Sequence, residues 1–317
     1  MNIFKRTLRL LLFFIGLVAG LIIGVTAFLS RLVIRPPRQR PWANPSHFGL
    51  EYEDVQFPAR DGVRLAGWFV PAATPSNENA PSVIMVHGWT WCRAGTIPGS
   101  FLNDFPGGGS VELLPLVKSL SLAGYHVLSL DMRNHGLSAS SSPVTFGWRE
   151  AGDVLGALDY LQMRSEVDQS RVGVLGFSMG ANAALFALPR TELVAAALLV
   201  QPTSPLVFNR GYFDFLLGPF GGLLDAVFTQ CYALLSRGLT MRAIDPVFAA
   251  SAAGETPILY VQSSQDRWGS PQDVVQMARA TPNTEEMVWV PGERFSGYQY
   301  VVSHPDVATD FFGKYLS

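Results

Sequence analysis

The stretch "RVGVLGFSMGANAALFAL", residues 171–188, limits what this chain can fold into more than any other. A short aliphatic run leads into Gly-Phe-Ser-Met-Gly at 176–180, and a segment of small residues follows. A serine between two glycines, after a strand and before a helix, reads as a sharp turn. Such a turn lifts the Ser178 hydroxyl above the end of a sheet, at the positive end of the following helix. The bland alternative is a plain glycine–serine turn, so the surrounding pattern has to decide.

That pattern alternates between strands and helices. "EDVQFPA" and "VRLAGWFVPA" read as two strands joined by an "RDG" turn. "SVIMVHG" (82–88), "YHVLSLDM", "VAAALLVQP", "PILYVQS" and "EEMVWVPG" are further apolar runs, continuous as in strands buried on both faces. Between them, "GWREAGDVLGALDYLQMR" spaces Val154, Leu155, Leu158 and Leu161 along one helical face, and "PDVATDFFGKYL" closes the chain as a helix. A Gly/Pro-rich loop, "GTIPGSFLNDFPGGGS", precedes a helix around 111–123. The expectation is an α/β domain over 50–317, a mostly parallel eight-stranded sheet with helices on both faces. Residues 204–245 interrupt the alternation with Phe208, Tyr212, Phe213, Phe215, Leu216 and Phe220 among others. They read as an inserted, helical, apolar lid, or as extra core packing.

The amino terminus is different in kind. Apolar residues make up 48% of the chain and charged ones 15%, against about 25% charged in ordinary soluble domains. The excess gathers in "LLLFFIGLVAGLIIGVTAFLS", residues 10–30, which carry no charge. As a helix this run is about 30 Å long, the thickness of a bilayer core. It is too long for a cleaved signal peptide and lacks a good cleavage site. Flanking Arg9 and Arg31 argue against a buried core helix. Residues 1–34 are therefore expected to be a single-pass membrane anchor. "RPPRQRPWANPSHFG" (35–49) follows as a Pro/Arg-rich linker. Basic residues balance across the span, and the expectation is an outward-facing domain.

The remaining composition excludes more than it suggests. A net charge of −2 gives no electrostatic case for nucleic acid. Cys92 and Cys231 have neither metal nor disulfide-framework spacing, and neither a ligand cluster nor a phosphate-binding glycine loop is present. No metal or organic cofactor is expected. Oligomeric state is beyond the sequence.

Taken together and in order, "DGVRLAGWFVPA", "VIMVHGWT", "LDMRNHGLS", "VGVLGFSMG" and "SQDRWGSPQD" resemble the α/β-hydrolase fold family, in particular its membrane-anchored serine hydrolases. The resemblance covers residues 48–316. It implies Ser178 as nucleophile, with backbone N–H groups of Trp89 and Met179 as the oxyanion hole. It implies structural roles for His87 and His135. It also implies Asp266, after the strand "PILYVQS", as the triad acid, with Asp273 as a competitor inside the next helix. Activity would be hydrolysis of carboxylic esters, with acyl lipids suggested by the apolar insert and the anchor, and an acyl-enzyme intermediate.

The histidine is the difficulty. The family places it after the last strand, where "PGERFSGYQY" puts Phe295, and a phenyl ring accepts no proton. His304 is the only histidine after Ser178. It is either the base, delivered by a folded-back loop, or the cap of a helix that starts near Pro305. If it is the base, the chain is a membrane-tethered ester hydrolase with Ser178, Asp266 and His304. If it is not, the chain is an impaired relative that binds an acyl ligand or a partner at the membrane.

Overall fold

The computed structural model describes residues 2–73, 79–97, 99 and 107–317, so the Gly/Pro-rich loop falls partly outside the described residues. Eight strands form one sheet: β1 (Glu53–Pro58), β2 (Arg64–Val70), β3 (Ala80–Val86), β4 (His126–Asp131), β5 (Val167–Phe177), β6 (Ala196–Val200), β7 (Ile258–Ser263) and β8 (Val288–Val290). Their order across the sheet is β1-β2-β4-β3-β5-β6-β7-β8. β2 runs antiparallel to both neighbours, and every pairing from β4 to β8 is parallel.

The central strands are mainly apolar and buried on both faces. Along β3, Ile84 and Val86 enter one core cluster while Val83 and Met85 enter the other. The first cluster is filled by α3 (Ala151–Leu161), α4 (Met179–Ala187) and α8 (Pro271–Ala280). The second is filled by α2 (Leu114–Leu122), α9 (Arg294–Ser303) and α10 (Asp306–Tyr315). β5 ends in the middle of the sheet and hands the chain directly to α4.

That junction explains its glycines. A Cβ on Gly180 would lie 2.3 Å from the Val86 carbonyl oxygen, and one on Gly176 would lie 2.6 Å from the Ala181 backbone. Only hydrogen at these positions lets α4 close onto β3 and β5. Gly180→Ala must push backbone apart, so it should cost about 1–3 kcal/mol in urea denaturation. An unchanged midpoint would show that the turn has slack.

Between β6 and β7 the chain forms α5 (Pro205–Leu217), α6 (Gly221–Leu235) and α7 (Pro246–Ser251). The inserted segment is therefore helical. α6 packs against α1 (Asn2–Ile34), which is longer than the apolar run at both ends. From Phe4 to Leu21 the helix is exposed. From Ile22 onward one side packs on the domain: Thr26 Oγ1 meets Cys231 Sγ at 3.8 Å, and Ser30 Oγ donates to the Phe228 carbonyl at 3.3 Å. The two helices run antiparallel. The free part, 18 residues by numbering, is about 27 Å long. The segment after α1 does not hang free: Arg38 Nη2 donates to Ser140 Oγ at 2.5 Å, and Trp42 and Phe48 pack on the core.

His87 and His135 lie below the β3 and β4 turns with ring centroids 5.2 Å apart. His87 Nε2 accepts from Met132 N at 3.1 Å, and His135 Nδ1 donates to the Arg133 carbonyl. Burial pulls their pKa values down to about 4 and about 3, so both are neutral braces for backbone.

Candidate active site

Ser178 sits at the top of β5 with φ 52° and ψ −114°. Non-glycine residues avoid this region, and holding one there costs about 1–3 kcal/mol. The turn is enforced on both sides: Ser178 N donates to the Val200 carbonyl at 2.8 Å, and Asn182 N donates to the Ser178 carbonyl at 3.0 Å. Trp89, just beyond β3, and Met179, the first residue of α4, line the same cavity as Ser178.

Asp266 lies in the loop after β7, buried. Its Oδ1 accepts from Trp268 N at 3.1 Å and Gly269 N at 2.9 Å, and its Oδ2 from Gln262 Nε2 at 3.3 Å. A carboxylate so held is fixed in orientation as well as desolvated. Asp273 is the third residue of α8 and instead accepts Ser204 N–H at 2.8 Å. Burial, helped by nearby Asp245 and opposed by the Ser204 N–H and Arg294, pushes Asp273 up to about 6. Its carboxyl therefore binds a proton more tightly folded than unfolded. The stability this gives is complete below the ordinary aspartate range and is lost as pH rises through about 6. Between pH 4 and 8 the protein should lose about 2–3 kcal/mol that Asp273→Asn does not lose. Parallel pH dependence of the two in urea denaturation would remove Asp273 as the cause.

The base position is where the sequence reading has to be corrected. The residue between Ser178 and Asp266 is neither Phe295 nor His304 but Arg294. Arg294 Nη1 donates to Asp266 Oδ2 at 2.7 Å, and Nη2 donates to Ser178 Oγ at 3.2 Å and to the Gln201 carbonyl at 3.0 Å. Burial disfavours the charged guanidinium, but the Tyr298 and Asp266 oxygens beside it outweigh burial and hold its pKa above the ordinary arginine value. It is a permanent cation and a donor only, so it cannot take a proton from serine.

His304 is at the far end of the helix that Arg294 begins. It is exposed and follows the last residue of α9, a helix of 10 residues or about 15 Å. Its backbone N donates to the Tyr300 carbonyl at 2.8 Å, its Nδ1 lies 3.0 Å from Ser303 Oγ, and its ring stacks on Tyr300 at 4.2 Å. It caps α9, and Pro305 then turns the chain into α10. A loop could have folded back; a regular helix cannot, which is why His304 does not reach Ser178. Phe295, one residue past Arg294, packs on Trp268 and Tyr298 at centroid distances of 6.4 and 5.6 Å.

Two residues of this site escape the sequence reading, Arg294 and Tyr298. Arg294 did leave a signal. It is the only lysine or arginine between Arg279 and Lys314. Tyr298, one turn further along α9, is fully buried, and its hydroxyl is close enough to Ser178 and Arg294 for both to bias its ionisation. Burial raises its pKa, and the Arg294 cation and Ser178 offset only part of that rise.

These groups form the polar end of an apolar cavity of about 200 Å³. Phe208, Phe213 and Phe228 of α5 and α6 line one part of it, and Leu29, Leu32 and Val33 of α1 line another. Trp89 Nε1 donates to the Val33 carbonyl at 3.3 Å, tying α1 to the loop beside Ser178. Among the described residues no group of histidine, cysteine or acidic side chains is arranged to hold a metal.

Residues 83–309 match the profile of the alpha/beta hydrolase family. The uncharacterized protein YfhR of Salmonella typhimurium is 33% identical over 139 residues, which are 44% of this chain and 41% of that protein. The aligned stretch thus spans about two fifths of that relative. The alpha/beta hydrolase domain-containing protein WAV2 of Arabidopsis thaliana is 25% identical over 265 residues, 81% of this chain and 76% of that one. Among solved structures, the Pyrococcus furiosus esterase Pf2001 superposes with a TM-score of 0.66 at 22% identity, covering 90% of this chain and 97% of that chain.

Proposed function

This chain belongs to the α/β-hydrolase family, and we propose that it takes a long-chain acyl ester against Ser178 at a membrane and turns it over slowly. The observation that carries this reading is the Arg294 guanidinium hydrogen-bonded to both Ser178 and Asp266. What supports an acyl group at this point is a serine in a strained turn, Trp89 and Met179 lining the same cavity, a fixed carboxylate and an apolar wall. The group that would activate the serine is replaced by one that cannot accept its proton. Binding and an oxyanion hole alone still leave roughly 10³–10⁴-fold catalysis over water. The apolar wall supports an acyl chain as the ligand. α1 over Phe4–Ile34 is long and apolar enough to cross a membrane, and its 4–21 part is exposed, which supports a lipid source for it.

The test is hydrolysis of p-nitrophenyl esters of graded chain length by the full chain in detergent micelles. Turnover should lie orders of magnitude below the ~10 s⁻¹ median of enzymes, favour longer chains, and vanish in Ser178→Ala. Fast turnover would overturn the reading. A second reading rests on Tyr298, whose hydroxyl lies near Ser178 and would take the serine proton while passing its own to the leaving alkoxide oxygen. Tyr298→Phe should leave the slow rate nearly unchanged under the first reading and abolish it under the second.

A further inference from the structure

The exchange of a histidine for Arg294 changes the charge of the site as well as its proton chemistry. A serine hydrolase at rest has an ionised acid and a neutral imidazole, a net negative charge behind the nucleophile. Its acyl product, a carboxylate, is repelled by that charge. Here the acid is paired with a permanent cation, and the pair is oriented. Nη1 faces Asp266, while Nη2 faces Ser178 and the cavity at 3.2 Å. The positive end of the ion pair therefore points at the place where an acyl head would lie. The amino-terminal end of α4 adds its dipole in the same sense. The Phe208 and Tyr298 rings flank the guanidinium at 5.2 and 5.5 Å, which holds it in place. Asp273 is felt by Arg294 but is engaged with Ser204 N–H.

From this arrangement, and resting on the reading of the cavity as an acyl site, we infer that the preferred ligand is the free, ionised carboxylate of an acyl chain rather than its ester. The carboxylate accepts from Ser178 Oγ–H and the backbone donors at Trp89 and Met179, with the Arg294 cation behind the serine. The chain lies between α1, α5 and α6. The site is then a retainer of fatty-acid-like anions at the membrane.

The experiment measures binding of dodecanoate, methyl dodecanoate and dodecanol to the full chain in neutral detergent, by displacement of a fluorescent acyl probe. Dodecanoate is expected to bind at least tenfold more tightly than the methyl ester. Arg294→Lys should keep part of that preference. Arg294→Gln leaves Asp266 buried and unpaired, so it is measured beside Asp266→Asn/Arg294→Gln, which leaves no lone charge. The double variant should bind the three ligands within about threefold of one another. Arg294→His should reverse the order. Equal binding of dodecanoate and methyl dodecanoate by the unaltered protein overturns this inference while leaving the acyl site standing. Binding of none of the three overturns both.

Discussion

Arg294→His is expected to raise the rate at which a fluorophosphonate labels Ser178 by about a hundredfold. A positioned general base contributes about 10²–10⁴ in rate, and the other parts of a triad are already arranged around this position. Asp266 is held by two backbone N–H groups and would orient an imidazole at 294 as it now pairs the guanidinium. The imidazole is the shorter side chain, so the first turn of α9 has to close toward Ser178. That places the expected gain at the low end of the range. Arg294→Ala is the control, because it removes the cation without supplying a base and should label no faster than the unaltered chain. Phe295→His should gain nothing, since that side chain packs between Trp268 and Tyr298. If Arg294→His folds, judged by its urea midpoint, and labels no faster, then Arg294 does not occupy the place of a base.

Removal of α1 should weaken acyl binding at least tenfold, and where the helix is cut should matter. Leu29, Leu32 and Val33 are a wall of the cavity, and Ile34 shares a buried cluster with Phe213, Phe228 and Tyr232. Burying an aliphatic side chain is worth about 1.5–3 kcal/mol, so the loss of three or four such contacts is several kcal/mol to α5 and α6. The Val144 N–H bond to the Ile34 carbonyl and the Trp89 bond to the Val33 carbonyl would go with them. A chain covering 22–317 keeps all of these and should bind a dodecyl ligand nearly as well as the full chain in detergent. One covering 35–317 should not, and should also unfold in less urea. Equal binding by the two would reduce α1 to a tether.

Much of the fold was legible because its cause is local. Short, mainly apolar runs such as "VIMV", "AALLV" and "ILYV" between turn residues read as strands covered on both faces, and β3, β4, β6 and β7 are buried along nearly their whole length. The strained serine was legible for the same reason: glycine at 176 and 180 is what a turn that tight demands of its neighbours. Asp266 came from the family resemblance, and the structure puts it beside the Arg294 cation while Asp273 is engaged by Ser204 N–H. Residues 1–34 read as an anchor separated from the domain by the 35–49 linker. Its packing on α6 was not legible, because an apolar face looks the same whether lipid or protein covers it.

The base position shows where such reading stops. Phe295 and Arg294 are adjacent, and a frame counted along a loop slips by one residue without leaving a trace. A shift of one at the start of α9 turns the side chain by about 100°, from the ion pair with Asp266 to the rings of Trp268 and Tyr298. For His304 the deciding fact was that residues 294–303 are a helix and hold it a full helix length away. The sequence by itself determined the buried strands and the serine turn, since each follows from the chemistry of consecutive residues, while Asp266 came from the place the family resemblance gives it. Only the tertiary structure decided that an arginine stands between that serine and that acid, because which side chain reaches a distant partner depends on how the intervening backbone is wound.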